Sequence, residues 1–171
     1  MRRTSFYRTV IFNTTSLICG IINMLVCLTV RIVSGSPFEV IHRLNCGEVL
    51  PPIWLFNLFW LIGSFVAGYA SGIIINEFLC GRLNGRNEIC AYRGGLFFVA
   101  LLFLAIIWYP LFFVKEALFL SLLIAIISLV CAFFCGCIWF KSEKVASILI
   151  FAYFVWLFYI LIVNFLILFL N

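Results

Sequence analysis

Five uncharged, hydrophobic runs follow one another along the chain, at 9–30, 49–76, 94–114, 117–140 and 145–171, and every charged residue falls in the gaps between them. Each run is long enough to cross a hydrocarbon core, which takes roughly 20 helical residues. The pattern predicts an all-α integral membrane bundle of five transmembrane helices, over about 9–30, 52–76, 95–114, 117–139 and 145–170, in a single domain spanning 1–171. Continuous apolar runs exclude a membrane β-barrel, whose strands alternate and are about 10 residues long.

The second run is the one around which the others are expected to pack. It opens Pro51-Pro52-Ile53-Trp54-Leu55-Phe56-Asn57-Leu58-Phe59-Trp60. Two prolines suit a first helical turn, where a missing N–H has no partner to lose. Trp54 suits a membrane boundary, where an indole keeps its N–H near water. Phe56 and Trp60 are four apart and share a face. Further along, Gly63, Ala67 and Ser71 form one row of small residues and Ser64, Gly68 and Gly72 another. Such rows let helix backbones approach closely in lipid, so this helix is expected at the centre of the bundle.

Composition and charge bear on topology. Hydrophobic residues make up 67% of the chain and charged residues 10%, far too few charges for a water-facing surface. Arg2, Arg3, Arg8, Arg82, Arg86, Arg93, Lys141 and Lys144 fall on one side, and Arg31, Arg43 and Lys115 on the other. The positive-inside rule then places the N-terminus in the cytoplasm and the C-terminus outside, as in a prokaryotic cell membrane. The first run follows a basic start, as in a signal peptide, but it is too long and lacks a small-residue cleavage site, so a retained helix is expected. The net charge of +5 is accounted for by this bias. No basic patch with interleaved aromatic residues points to nucleic acid.

Catalysis needs acids, bases or nucleophiles within reach and ion transport an intramembrane ionisable residue, and no Asp, Glu, His, Lys or Arg lies within a predicted span. The reading is therefore not an enzyme. Cys131, Cys135 and Cys137 lie on the fourth helix, but only the first two share a face and no His or carboxylate completes a tetrahedral set, so no metal is expected. Cys80 and Cys90 lie in a predicted polar loop from Glu77 to Gly95, on the reducing side by the charge count. His42, the one histidine, lies in the loop from Arg31 to Leu50 and is either solvated or a haem ligand. That loop adjoins the aromatic start of the second helix, where it could cover a cavity. Pro110 is expected to bend or end the third helix. What remains is aromatic surface. Trp54, Phe56, Trp60, Trp108, Phe112, Tyr153 and Trp156 are the candidate ligand-binding residues, because rings stack on flat ligands and apolar walls favour their burial. Ordinary packing and lipid contact account for the same rings equally well.

These residues resemble the tryptophan-rich sensory proteins, the TspO/MBR family, related to the mitochondrial translocator protein or peripheral benzodiazepine receptor. Its Pro-Pro-x-Trp-x-Phe-x-x-x-Trp element is met by Pro51, Pro52, Trp54, Phe56 and Trp60, with Gly68 in place of a family glycine. Its Trp-x-Pro-Leu-Phe-Phe element is met by Trp108, Pro110, Leu111, Phe112 and Phe113, and a third element in part by Tyr153, Trp156, Asn164 and Asn171. The chain departs from the family at Val40-Ile41 and Cys46-Gly47 in the first loop, at Leu101 and Ala105 in place of Gln and Asn, and at Ala152 in place of Pro. Ile160 stands where a small residue is usual, and Phe165 and Phe169 stand where a sterol-recognition pattern needs Tyr and a basic residue. The resemblance implies a five-helix bundle, commonly a homodimer, that binds porphyrin, haem or other flat hydrophobic ligands with no required cofactor, for sensing or transport. The alternative is a structural or partner-binding protein that has lost this affinity.

Overall fold

The computed structural model describes residues 13–35, 40, 44 and 51–171. They form an all-α bundle of five helices, each long and apolar enough to span a membrane: α1 (Thr14–Val33), α2 (Ile53–Leu79), α3 (Arg86–Phe113), α4 (Leu118–Trp139) and α5 (Lys144–Leu170). The protein is an integral membrane protein, and its outward side chains meet lipid. His42, Glu39, Cys46, residues 9–12 and most of the first loop, with its expected covering role, lie outside the described residues.

Successive helices alternate in direction and pack in the order α1, α2, α5, α4, α3 around the bundle, with α3 closing back onto α1. One end therefore gathers the start of α2, the end of α3, the start of α4 and the end of α5. This is the aromatic end. The other end carries the exposed Arg82, Arg86, Arg93, Lys141 and Lys144.

The two rows of small residues on α2 face different neighbours. A Cβ on Gly68 would come 2.6 Å from Asn23 Cβ and from Cys19 O, and one on Gly72 would come 2.5 Å from Ser16 Cα, so the Ser64 row is the seam with α1. Across it the Asn23 side-chain amide donates to the Ser64 carbonyl at 2.6 Å. A buried amide thus finds the partner that lipid cannot supply. Gly63, in the other row, lies against Tyr153 and Trp156 of α5.

The predicted loop from Glu77 to Gly95 is mostly helix. α2 continues to Leu79 and α3 begins at Arg86, nine residues before the expected start. Only Cys80 to Gly85 turn the chain. Gly81 and Gly85 adopt φ of +62° and +52°, which a residue with a side chain rarely does. Glu77 is thereby brought into α2 and buried, where it accepts from Arg82 Nη1 at 2.8 Å. A neighbouring cation is what makes a buried carboxylate tolerable. The added turns of α3 are charged outside but bury Ala91 and Gly94 against α4, where the Trp139 indole donates to the Ala91 carbonyl at 3.2 Å. A side chain on Gly94 would overlap that indole.

Pro110 does not end α3. The helix passes through it and runs three residues further to Phe113, and Phe112 and Phe113 are both buried in that last turn.

Candidate functional site

The aromatic end holds one continuous cluster of rings. Phe56 and Trp60 descend one face of α2, as their spacing requires, and meet Trp108, Tyr109, Phe112 and Phe113 from the last turns of α3. Trp60 stacks on Tyr109 with centroids 4.2 Å apart, and Trp108 stacks on Phe112 at 5.3 Å. Trp156 on α5 reaches across to Phe56 at 5.6 Å and stacks on Tyr159 at 5.4 Å.

Trp60, Trp108, Tyr153 and Trp156 line a common cavity with Ala105, Ala125, Ser128, Leu157 and Ile160. Its volume is about 20 Å³. A smaller void of about 10 Å³ shares Ala105 and Tyr153 and extends to Leu101, Ser64 and Asn23. A site for a drug-sized ligand usually offers some 300–1,000 Å³. The walls therefore close on themselves and leave no room for a ligand of that size. Ile160, Leu101 and Ala105 stand around this space as apolar side chains, so the pocket offers few polar anchors.

Of the candidate residues, Phe56, Trp60, Trp108 and Phe112 lie in the ring cluster, with Tyr153 and Trp156 beside it. Trp54 does not join them. It is 68% exposed on the opposite side of α2. Sequence reasoning passed over Tyr109, which is fully buried under Trp60. The signal available was its place one residue after Trp108 and four before Phe113, on the inner face of the same helix end.

Among the described residues, several buried polar atoms of this region have no hydrogen-bond partner: Trp108 Nε1, Trp156 Nε1, the Tyr109 hydroxyl, Asn57 Oδ1 and Arg31 Nε. Arg31 itself stands in the last turn of α1. Asn164, by contrast, is satisfied: its amide donates to the Ile160 carbonyl at 2.7 Å, and its Oδ1 lies 3.0 Å from Ser121 Oγ on α4. Its role is to join α4 to α5.

Among the described residues no three His, Cys, Asp or Glu side chains are grouped to hold a metal ion. Cys135 is buried and its thiol lies 3.4 Å from the Gly94 carbonyl, a packing role at the α3–α4 seam. A larger hollow lies elsewhere. It measures about 450 Å³, lies between α2 and α3 towards the basic end, and is lined by apolar side chains including Ile74, Phe78, Leu96 and Val99.

The sequence model of the TspO/MBR family matches residues 17–170, nearly the whole chain. No curated protein and no solved structure matches the chain.

Proposed function

The chain belongs to the TspO/MBR family, and from that premise we propose that it binds flat, hydrophobic molecules of the porphyrin or haem type within the aromatic end of the bundle, to sense or transport them. The observation that carries this reading is the cavity walled by Trp60, Trp108 and Trp156. Three indoles around one space give a planar apolar molecule rings to stack on, each stack contributing about 0.5–1.5 kcal/mol beyond burial. The reading is of binding and not catalysis, and it requires no cofactor. The basic end faces the cytoplasm by the positive-inside rule, so the site opens towards the outer leaflet, and the working unit is a homodimer.

The cavity of about 20 Å³ also sets what binding must involve. A tetrapyrrole can enter only if side chains such as Trp60, Trp156 or Ile160 swing aside. The same closure supports a second reading, in which the bundle keeps the family architecture to hold a partner protein and has lost the ligand.

Titration of the detergent-purified protein with protoporphyrin IX, followed by Trp fluorescence, separates the two. Saturable quenching that weakens in Trp108→Ala supports the ligand site. Folded protein with no saturable quenching rejects it in favour of the partner reading.

A further inference from the structure

The basic end also carries a hollow whose lining is charged. It measures about 440 Å³ and is lined by Arg86 and Asn87 at the start of α3 and by Phe140 and Lys141 just past the end of α4. The Ser142 hydroxyl donates to the Asn87 carbonyl at 2.8 Å, which ties the α4–α5 turn to the first turn of α3 and brings these residues together. Lys144, the first residue of α5, places its ammonium 5.8 Å from the centroid of the Phe140 ring. Three cations from three segments thus gather around one ring.

Topology asks for cations at this end, but not for their convergence. Nor do the acids of this end neutralise them. Glu77 is held by Arg82, and Glu143 caps α5 at Val145. Glu88 stands about 160° around α3 from Arg86. Among the described residues Arg86, Lys141 and Lys144 form no ion pair. Cations grouped without a counter-ion repel one another, and an anion set among them removes that repulsion.

The surface next to the hollow is apolar. Cys90 and Phe97 continue along the side of α3 that begins at Asn87, and Cys137 and Phe134 lead back from Lys141 along α4. Phe97 stacks on Phe134 with centroids 5.7 Å apart, and Phe134 is 47% exposed, so the ring pair presents apolar surface outwards. From Asn87 to Phe97 the helix rises about 15 Å, half of a hydrocarbon core of roughly 30 Å and so the reach of the chains of one leaflet.

We propose that the hollow and the ring pair form a binding site for one anionic phospholipid, its phosphate among Arg86, Lys141 and Lys144 and an acyl chain along the Phe97–Phe134 seam. Charge sets the headgroup class, because basic groups at a membrane boundary attract anionic lipid. The apolar track favours a lipid over free phosphate, which has no chain to lay on it. The bound lipid adds to the Ser142 to Asn87 hydrogen bond in joining α3 to the α4–α5 turn. The site lies at the opposite end of the bundle from the aromatic cavity and does not depend on the ligand-binding reading.

The test is thermal unfolding of the detergent-purified protein during titration with phosphatidylglycerol, phosphatidylcholine or inorganic phosphate. It compares the wild type with Arg86→Gln, Lys141→Gln, the double variant, and Lys115→Gln, which removes an exposed cation at the aromatic end. Phosphatidylglycerol is expected to raise the wild-type Tm saturably by several degrees, and the other two additives to leave it nearly unchanged. The double variant should need about tenfold more phosphatidylglycerol for half of the shift, each single variant severalfold more, and Lys115→Gln no more than the wild type. Native mass spectrometry should find one phosphatidylglycerol retained on the wild type and none on the double variant, a readout that does not depend on the stability of the variants. No saturable shift, equal stabilisation by phosphatidylcholine, or a half-point that the double variant leaves unmoved or that Lys115→Gln moves equally overturns the site. Full stabilisation by inorganic phosphate overturns the lipid as its occupant.

Discussion

Trp60 lies flat on Tyr109, their ring centroids 4.2 Å apart and their planes within 3° of parallel. The contact joins α2 to the end of α3 and fixes one wall of the cavity. It also explains why two tryptophans of the same motif behave differently. Trp60 turns inward onto a partner, whereas Trp54, six residues earlier and so about 120° away around the helix, faces outward.

Trp54→Ala should therefore leave protoporphyrin IX affinity within about twofold, while Trp108→Ala should weaken it about tenfold, an amount comparable with the loss of one ring stack. Fluorescence titration of the two variants measures both. An equal loss in each would move the ligand from the cavity to the surface of α2.

Ile160 is buried in the cavity wall. Ile160→Ala removes three carbons there and opens room that the native chain fills. It should bind protoporphyrin IX several times more tightly, and should lower stability by about 2 kcal/mol through lost packing. Thermal unfolding and titration of the same preparation report the two effects, and an affinity unchanged by the substitution would show that Ile160 does not limit entry.

How far these features were legible in advance follows from what each depends on. The five spans follow from hydropathy because lipid demands long apolar helices whatever their neighbours, and the close packing of α2 follows from its rows of small residues at four-residue spacing, but that Ser64, Gly68 and Gly72 meet α1 depends on how the helices are rotated. The start of α3 was hidden because Arg86 to Arg93 are charged on their exposed face. Only the burial of Ala91 and Gly94 against Trp139 makes that segment helix, and this is a tertiary contact. Glu77 was read as a loop residue for the same reason, its partner Arg82 lying beyond a turn that only glycine geometry allows. Within the site, residue types predicted the rings that cluster. They could not predict that Trp54 would face outward, that Tyr109 would lie under Trp60, or that the enclosed volume would be so small, since all of these depend on how the helices are rotated.

The α1–α2 seam makes a prediction of its own. Gly68→Ala would drive a methyl group into the Cys19 carbonyl and Asn23 Cβ, both 2.6 Å from its position, so the helices must separate and the Asn23 to Ser64 hydrogen bond must lengthen. A loss of about 2 kcal/mol is expected from overpacking. Gly95→Ala, on α3, meets nothing within 4 Å and should be neutral or stabilising by up to about 1 kcal/mol. Denaturant unfolding in one detergent compares them, and equal stability of the two would refute the close approach.

At the basic end, Glu143 caps α5 by accepting from the Val145 N–H at 3.2 Å. Burial, and secondarily the nearby Glu77 carboxylate, hold its carboxyl above the usual range, although the Val145 hydrogen bond acts in the opposite direction. A raised folded-state pKa means that the folded protein holds this proton more tightly than the unfolded chain does. Below the unfolded value of about 4.3 both states are protonated and the group is neutral towards stability. As pH rises from there through the folded value, stability is lost, and the loss is complete above it. Glu143→Gln keeps an acceptor for Val145 and removes the charge, so its Tm should equal that of the wild type near pH 4 and exceed it by a few degrees at most at pH 7. Thermal melts across that range decide the matter. If the two melting curves coincide at every pH, the attraction of the carboxylate to the α5 N-terminus offsets the effect of its burial beside Glu77.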